Sequence, residues 1–359
     1  MALNSQIIDS AVERYWREFD RYAKLSEFVG EASRKLLDQN VIRGSVQWRA
    51  KNPDRLKAKL EKWMVNGSHA AELNNVDDVF RVLKDLAGAR ITTYVETDRE
   101  KVVESLAKRF TGAGQATVVP DVKDEPGKFY RATHCIVSLQ DDDLVGRYQN
   151  LKSLGCEVQV CSLLAHVYNE VEHDLRYKPL SGALSGQEKS LLDGLGHLVA
   201  TGDIVINQTL NAVEVRQRAN KESFEDEYDF VARIRELFPL ATKFAVNAGQ
   251  VYEACVKLGL DNPDKIKAAL DWQNGRVAER GHQLVNEVAD FVNTNAQITL
   301  EVDPLSSDQL SVLLLDDPAR VGRLRELYPS GRGVGRATRL MSLAKQVQER
   351  PRVQKPQRQ

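Results

Sequence analysis

The chain has 359 residues, 42% hydrophobic and 28% charged, so it is too long for one small domain and too apolar for global disorder. Its 50 Lys and Arg oppose 51 Asp and Glu, which excludes a bulk basic field and requires any anion site to come from local clustering. There is no apolar run of about 18 residues to span a bilayer. The opening MALNSQIIDSAVERYW carries acids where a signal peptide needs a basic and then an apolar stretch, so a cytoplasmic location without a membrane partner is expected.

Along residues 5–38, Ile8, Val12, Tyr15, Trp16, Phe19 and Tyr22 recur at helical spacing, which predicts one or two amphipathic helices packing on something larger. Asn52 is an N-cap candidate before Pro53, and Leu56, Leu60 and Trp63 continue the period of a short basic helix. Beyond a polar loop, VDDVFRVLKDLAG reads as a helix closed by Gly88 that feeds the β-rich ARITTYV. Thr97-Asp98-Arg99-Glu100 fits a capping box for a helix over about 98–110.

ATVVP, THCIVSL and CEVQV are β-branched-rich and read as strands. In LLAHVYNEVEHDLRYK, positions Leu164, Val167, Tyr168, Val171 and Leu175 make the stripe of a helix lying on a sheet. From 186 to 345 only ITLEV reads as a strand. KQVQERPRVQKPQRQ has almost nothing to bury, so residues 346–359 are expected to form a disordered basic tail. The predicted class is α+β, a mixed sheet flanked by helices and followed by a mostly helical C-terminal region. Its expected parts are 1–40, 41–200, 201–345 and the tail. Cys135, Cys156, Cys161 and Cys255 show no CxxC pair and no His at metal spacing, and read as buried thiols.

Between Arg43 and Lys62, seven basic residues stand against Asp54 and Glu61, a local net of +5. That is either a solvated helix face or an anion site, with Arg49, Lys51 and Lys59 converging on a polyphosphate at a helix N-terminus. Asp85, read at a helix C-terminus where the dipole is already negative, is expected to be either salt-bridged to Lys84 or Arg90 or a Mg²⁺ ligand. In CEVQV, Glu157 and Gln159 share one face of a strand. Tyr130 and His134 flank a loop, where a tyrosine ring can stack on a base and a histidine can donate to a phosphate.

WRAKNPDRLKAKL, KDLAGARI, FYRATH, and CEVQV with the helical segment after it follow one another in a single order. Together they resemble the synthetase domain of the RelA/SpoT family, the alarmone synthetases, over about residues 40–180. The resemblance implies a nucleotidyltransferase-like fold and transfer of the β,γ-pyrophosphate of ATP to the ribose 3′-hydroxyl of GDP or GTP. By the same resemblance Asp85 holds Mg²⁺, and Glu157 assists the metal or acts as base. Arg49, Lys51, Lys59 and Arg90 bind ATP. Tyr130 stacks on the acceptor, His134 touches its phosphates, and Gln159 joins that subsite. His166, Glu172 and His173 fall in the family's strand-and-helix segment.

Two departures stand out. Cys161 replaces the usual Arg after the strand's Gln, and Lys128-Phe129 replaces the usual Asn-Gly before the loop tyrosine, so grip on the acceptor is expected to differ. The only histidine before residue 134 is His69, so the metal-dependent hydrolase of long family members is not expected. Two further readings stay open. One is a relative that pyrophosphorylates the 3′ end of tRNA, with the helical half as a control domain; the other is a catalytically silent nucleotide-binding regulator. Whether the chain forms a homo-oligomer is also left open.

Overall fold

Ile8, Ala11, Tyr15, Tyr22, Leu25 and Val29 are all buried and fall on one face of a single 35-residue helix, α1 (Ser5–Gln39), in the computed structural model. The N-terminal segment is therefore one continuous helix, and Trp16 lies off its buried face at 59% exposure. The structure describes residues 3–349 other than 70, 115, 126, 178–183, 219–221, 273–274, 296, 299, 315–316 and 328–334. The chain divides into one unit of Met1–Leu37 with Ile42–Gln208 and another of Asp38–Val41 with Thr209–Gln359.

In the first unit the strands are β1 (Gly44–Ala50), β2 (Ala87–Thr93), β3 (Thr111–Gly112), β4 (Pro120–Asp124), β5 (Arg131–Ser138) and β6 (Cys156–Ser162). They form one mixed sheet in the order β1-β2-β6-β5, with β3 and β4 sharing the far edge of β5. β2 and β6 run parallel and the other pairings are antiparallel. The helices of this unit beside α1 are α2 (Pro53–Asn66), α3 (Val76–Val82), α4 (Asp98–Arg109), α5 (Leu163–Tyr177) and most of α6 (Gly186–Arg218). One core joins α1, α2 and α4 to the sheet through Tyr15, Leu56, Leu60, Ile91, Leu106 and Val158. α1 approaches β1 so closely that a Cβ on Gly30 would overlap the Trp48 ring.

Several sequence expectations are corrected by the sheet. The helix expected through Gly88 ends at Val82, because Leu83 turns extended and Ala87 already pairs with β1 and β6. Helix propensity in KDLAG gives way to two ladders of strand pairing. β1 was not expected, and the strand sought in ATVVP begins only at Pro120, a proline at the start of an edge strand. α4 forms, but Thr97 makes no side-chain cap bond; instead Glu96 pairs with Arg99 at 2.9 Å. α5 does lie on the sheet, yet it buries Ala165, Tyr168 and Asn169, leaving Val167, Val171 and Leu175 of the expected stripe exposed.

The second unit is helical: α7 (Glu227–Ile234), α8 (Ala248–Lys257), α9 (Pro263–Ala269), α10 (Gly275–Asn293), α11 (Asp308–Leu313), α12 (Pro318–Leu327) and α13 (Arg336–Gln348). Asp226 and Asn262 cap α7 and α9 by accepting backbone N–H groups. α11 is buried throughout despite its polar residues, since Asp308 accepts from Arg336 at 2.7 Å and from the Asp303 N–H at 3.0 Å. The described part of ITLEV is not a strand; Leu300 simply fills the helical core. The expected tail is helical through Gln348, because Val347 packs on that core, and residues 350–359 lie outside the described residues.

Candidate active site

The local sequence around Asn52 creates the first corner of the site. Asn52 accepts from the Asp54 N–H at 2.7 Å and Pro53 opens α2, so Lys51 leaves β1 just before the cap and Lys59 stands two turns on. Both lysines reach Asp85, Lys51 at 2.6 Å and Lys59 at 2.9 Å, and both bonds fall on Oδ2. The expected partners Lys84 and Arg90 are replaced by these two because Asp85 lies on the extended segment between α3 and β2, which faces the start of α2. Burial alone would push the Asp85 carboxyl up. The charges of Lys51 and Lys59 and their hydrogen bonds together outweigh that and hold it below the usual carboxylate range.

Tyr15 holds this corner in register. Its buried hydroxyl lies 2.8 Å from the Lys51 carbonyl and 3.1 Å from the Leu86 carbonyl, and the Lys51 N–H donates to Leu86 at 2.9 Å. The sequence showed Tyr15 only as an apolar helix position; no spacing signal marks its hydroxyl.

The second part of the site crosses the sheet. Strand register aligns Gln47, Arg90, Gln159 and His134 in one row and Arg49, Gly88 and Glu157 in the next. Gly88 leaves the sheet bare between Arg49 and Glu157. Arg49 has no ion pair among the described residues, so the structure places it on the site face without joining it to the Asp85 corner.

Around Glu157 every donor points inward. His134 Nδ1 lies 3.2 Å from Glu157 Oε1, and Tyr130 Oη lies 3.1 Å from His134 Nε2. On the other side Gln159 donates to Glu157 Oε2 at 3.0 Å, and Arg90 donates to Gln159 at 3.2 Å. With the Nδ1–H tautomer of His134, assigned from these partners, the chain of donation runs from both ends toward Glu157. Both ring nitrogens of His134 therefore have protein partners, Tyr130 and Glu157. Arg90 is held in turn by Glu170 at 2.8 Å and stands 3.4 Å from His166 Nδ1, joining the Gln159 row and leaving the Asp85 corner.

Burial, and then the Arg90 charge, push the His166 pKa down, which keeps it neutral and able to accept from Arg90. Burial pushes the Tyr130 hydroxyl up to about 12, so it stays a donor. His173 is exposed, with its Nδ1 3.5 Å from the Asp174 carboxylate. Glu170 carried no sequence signal of its own, since it faces Arg90 only once α5 is laid on the sheet. Cys161 is a buried thiol packed with Ala132, Ala165 and Tyr130, and the other three cysteines are buried too.

Asp85 Oδ1 is buried and unpartnered, a hard oxygen available to a cation. Among the described residues no three His, Cys, Asp or Glu side chains gather as a metal group. That donor set fits Mg²⁺ held by one or two carboxylates together with phosphates, the usual mode for this ion. Among the described residues no helix is long and apolar enough to cross a membrane.

Residues 48–181 match the family model of the region found in RelA / SpoT proteins. Among solved structures, the small alarmone synthetase 1 from Bacillus subtilis is 22% identical over 56% of this chain and 98% of that chain, with a TM-score of 0.44. A GTP pyrophosphokinase family protein from Streptococcus pneumoniae is 21% identical over 55% and 94%, with a TM-score of 0.43. The Bacillus subtilis protein has also been solved bound to its product pppGpp; that structure is 22% identical over 56% and 98%, with a TM-score of 0.42. No curated protein matches the chain.

Proposed function

We propose that residues 48–181, which match the region found in RelA / SpoT proteins, form a synthetase domain, and that the chain transfers the β,γ-pyrophosphate of ATP to the ribose 3′-hydroxyl of GDP or GTP. In this reaction the 3′-oxygen bonds to the β-phosphorus, the bond from the β-phosphorus to the α-phosphate oxygen breaks, and AMP leaves. The 3′-hydroxyl proton goes to a base. No covalent enzyme intermediate is required, so positioning and charge neutralisation carry the rate.

The observation that supports this reading most is the pair of carboxylates with opposite surroundings at the entry of β2 and on β6. Asp85 is clamped by two lysines, whereas Glu157 collects hydrogen bonds from His134 and Gln159. Lys51 and Lys59 bind the triphosphate, and in doing so they release Asp85 Oδ2 beside the already free Oδ1. Arg49 adds a further cation. Mg²⁺, when bound by Asp85 with help from Glu157, supplies neutralisation of charge building on the phosphates. Glu157, its oxygens oriented from both sides, takes the 3′-hydroxyl proton. Tyr130 offers its ring to the acceptor base.

A second acceptor, the 3′ end of tRNA, enters the test because the buried thiol of Cys161 occupies the position where the family usually has an arginine, so the grip on a guanosine nucleotide differs there. The test is transfer of label from γ-labelled ATP with Mg²⁺, offered GDP, GTP and deacylated tRNA in parallel. Label on the guanosine nucleotide is expected. Label on tRNA alone would replace the acceptor, and no transfer to any of them would leave a silent nucleotide-binding regulator.

A further inference from the structure

Phe129 stands where the resemblance predicted a small polar pair, and the structure gives it a seat. Its ring meets Gly196 of α6 so closely that a Cβ there would overlap the ring from Cγ onward. It also packs edge-on against His197 at 4.7 Å and Tyr168 at 5.9 Å between ring centres. Glycine is a poor residue inside a helix, so a glycine at the one turn that receives a ring is a close-approach device.

The residues around Tyr130 are held from a second side. Asn169 of α5, itself buried, accepts from the Arg131 N–H at 3.4 Å and donates to the Arg131 carbonyl at 3.1 Å. α6 is fixed against the same end of the sheet by Asp203, which accepts from Ser162 at 3.0 Å. Ser162 in turn accepts the Ala165 N–H that opens α5. Phe129 and Arg131 are thus gripped on either side of Tyr130, within the first unit.

Resting on the proposed stacking role of Tyr130, we infer that α6 seats the acceptor loop. Phe129 and Gly196 are positioning residues: they set the affinity for the acceptor and not for ATP. Neither touches reacting atoms in this scheme. The prediction separates them from merely structural residues, because a general loss of fold would move both substrates together.

Acceptor KM, measured with GDP and with deacylated tRNA at saturating Mg-ATP, is expected to rise about tenfold in Phe129→Ala, with ATP KM within about twofold. Gly196→Ala should raise acceptor KM in the same way, because the ring must leave its seat. In the Phe129→Ala background the same change meets no ring and should add almost nothing, a non-additivity that marks direct coupling. Hydrogen exchange at Arg131 and Ala132 should quicken in both single variants, and this reads the seat without activity. Unchanged exchange would overturn the inference, as would faster exchange with unchanged acceptor KM. Tyr130→Ala is run beside them. If it leaves acceptor KM unchanged while Phe129→Ala raises it, the stacking role falls and the seat stands.

Discussion

The two ends of the site are built on different physics. At the lysine corner, two cations and one carboxylate meet at 2.6 and 2.9 Å, and their attraction falls slowly with distance. In the row across β2, β6 and β5, Arg90, Gln159, Glu157, His134 and Tyr130 are chained through directional hydrogen bonds of 3.0–3.2 Å, each of which fails within a fraction of an ångström or a few tens of degrees. The corner can tolerate small shifts and still attract a polyphosphate. The row cannot, and it is accordingly set on paired strands, with Tyr130 at its end on a loop gripped by neighbours.

The sharpest way to break the contrast is at Glu157. Glu157→Gln keeps the shape but removes the base, and transfer should fall by about 10²–10⁴-fold while ATP binding persists. Labelled-product assays beside equilibrium ATP binding check this; surviving transfer would move the base elsewhere.

The corner is next. Asp85→Asn leaves two lysines without their shared counter-charge and should cost about 1–3 kcal/mol of stability at neutral pH. The sign with pH follows from the lowered folded pKa. The contribution is complete above the unfolded carboxylate value of about 4 and is lost as pH falls through the lower folded value. Urea unfolding of both proteins from neutral to acidic pH should show the gap closing on the acid side, and a gap independent of pH would refute the clamp.

Tyr15→Phe should cost about 1–2 kcal/mol by removing the hydroxyl shared by two buried carbonyls. If that hydroxyl sets the register of the corner, ATP KM rises a few-fold and acceptor KM does not. An equal rise in both would make Tyr15 a general core residue.

Glu170→Gln is the mildest change. Its pair with Arg90 is half-exposed, so screening should hold the stability loss to about 0.5 kcal/mol. The row should still keep its order through Gln159 and His134. A loss of transfer approaching that of Glu157→Gln would mean the row depends on its far end.

The corner was the more legible of the two. Charge clustering between Arg43 and Lys62 and the cap at Asn52 placed Lys51 and Lys59 on one helix start, because capping and local charge are properties of adjacent residues. What misled was Asp85: helix propensity in KDLAG suggested a C-terminus, and only pairing of Ala87 on both sides turned the segment extended. In the row, alternation along CEVQV put Glu157 and Gln159 on one face, but nothing local could say that Arg90, His134 and Tyr130 would meet them. That depends on which strands are neighbours.

By itself the sequence determined the α+β class, the cap of α2, the location of β2, β5 and β6, and most of the candidate residues for chemistry, since these follow from short-range pattern and residue type. Only the tertiary structure decided that Asp85 answers to Lys51 and Lys59, that both nitrogens of His134 are spent on Tyr130 and Glu157, and that Phe129 lodges against Gly196. Each of these joins residues 4 to 67 positions apart. Such contacts are fixed by strand register and helix packing, which minimise unpaired backbone and exposed apolar surface over the whole unit.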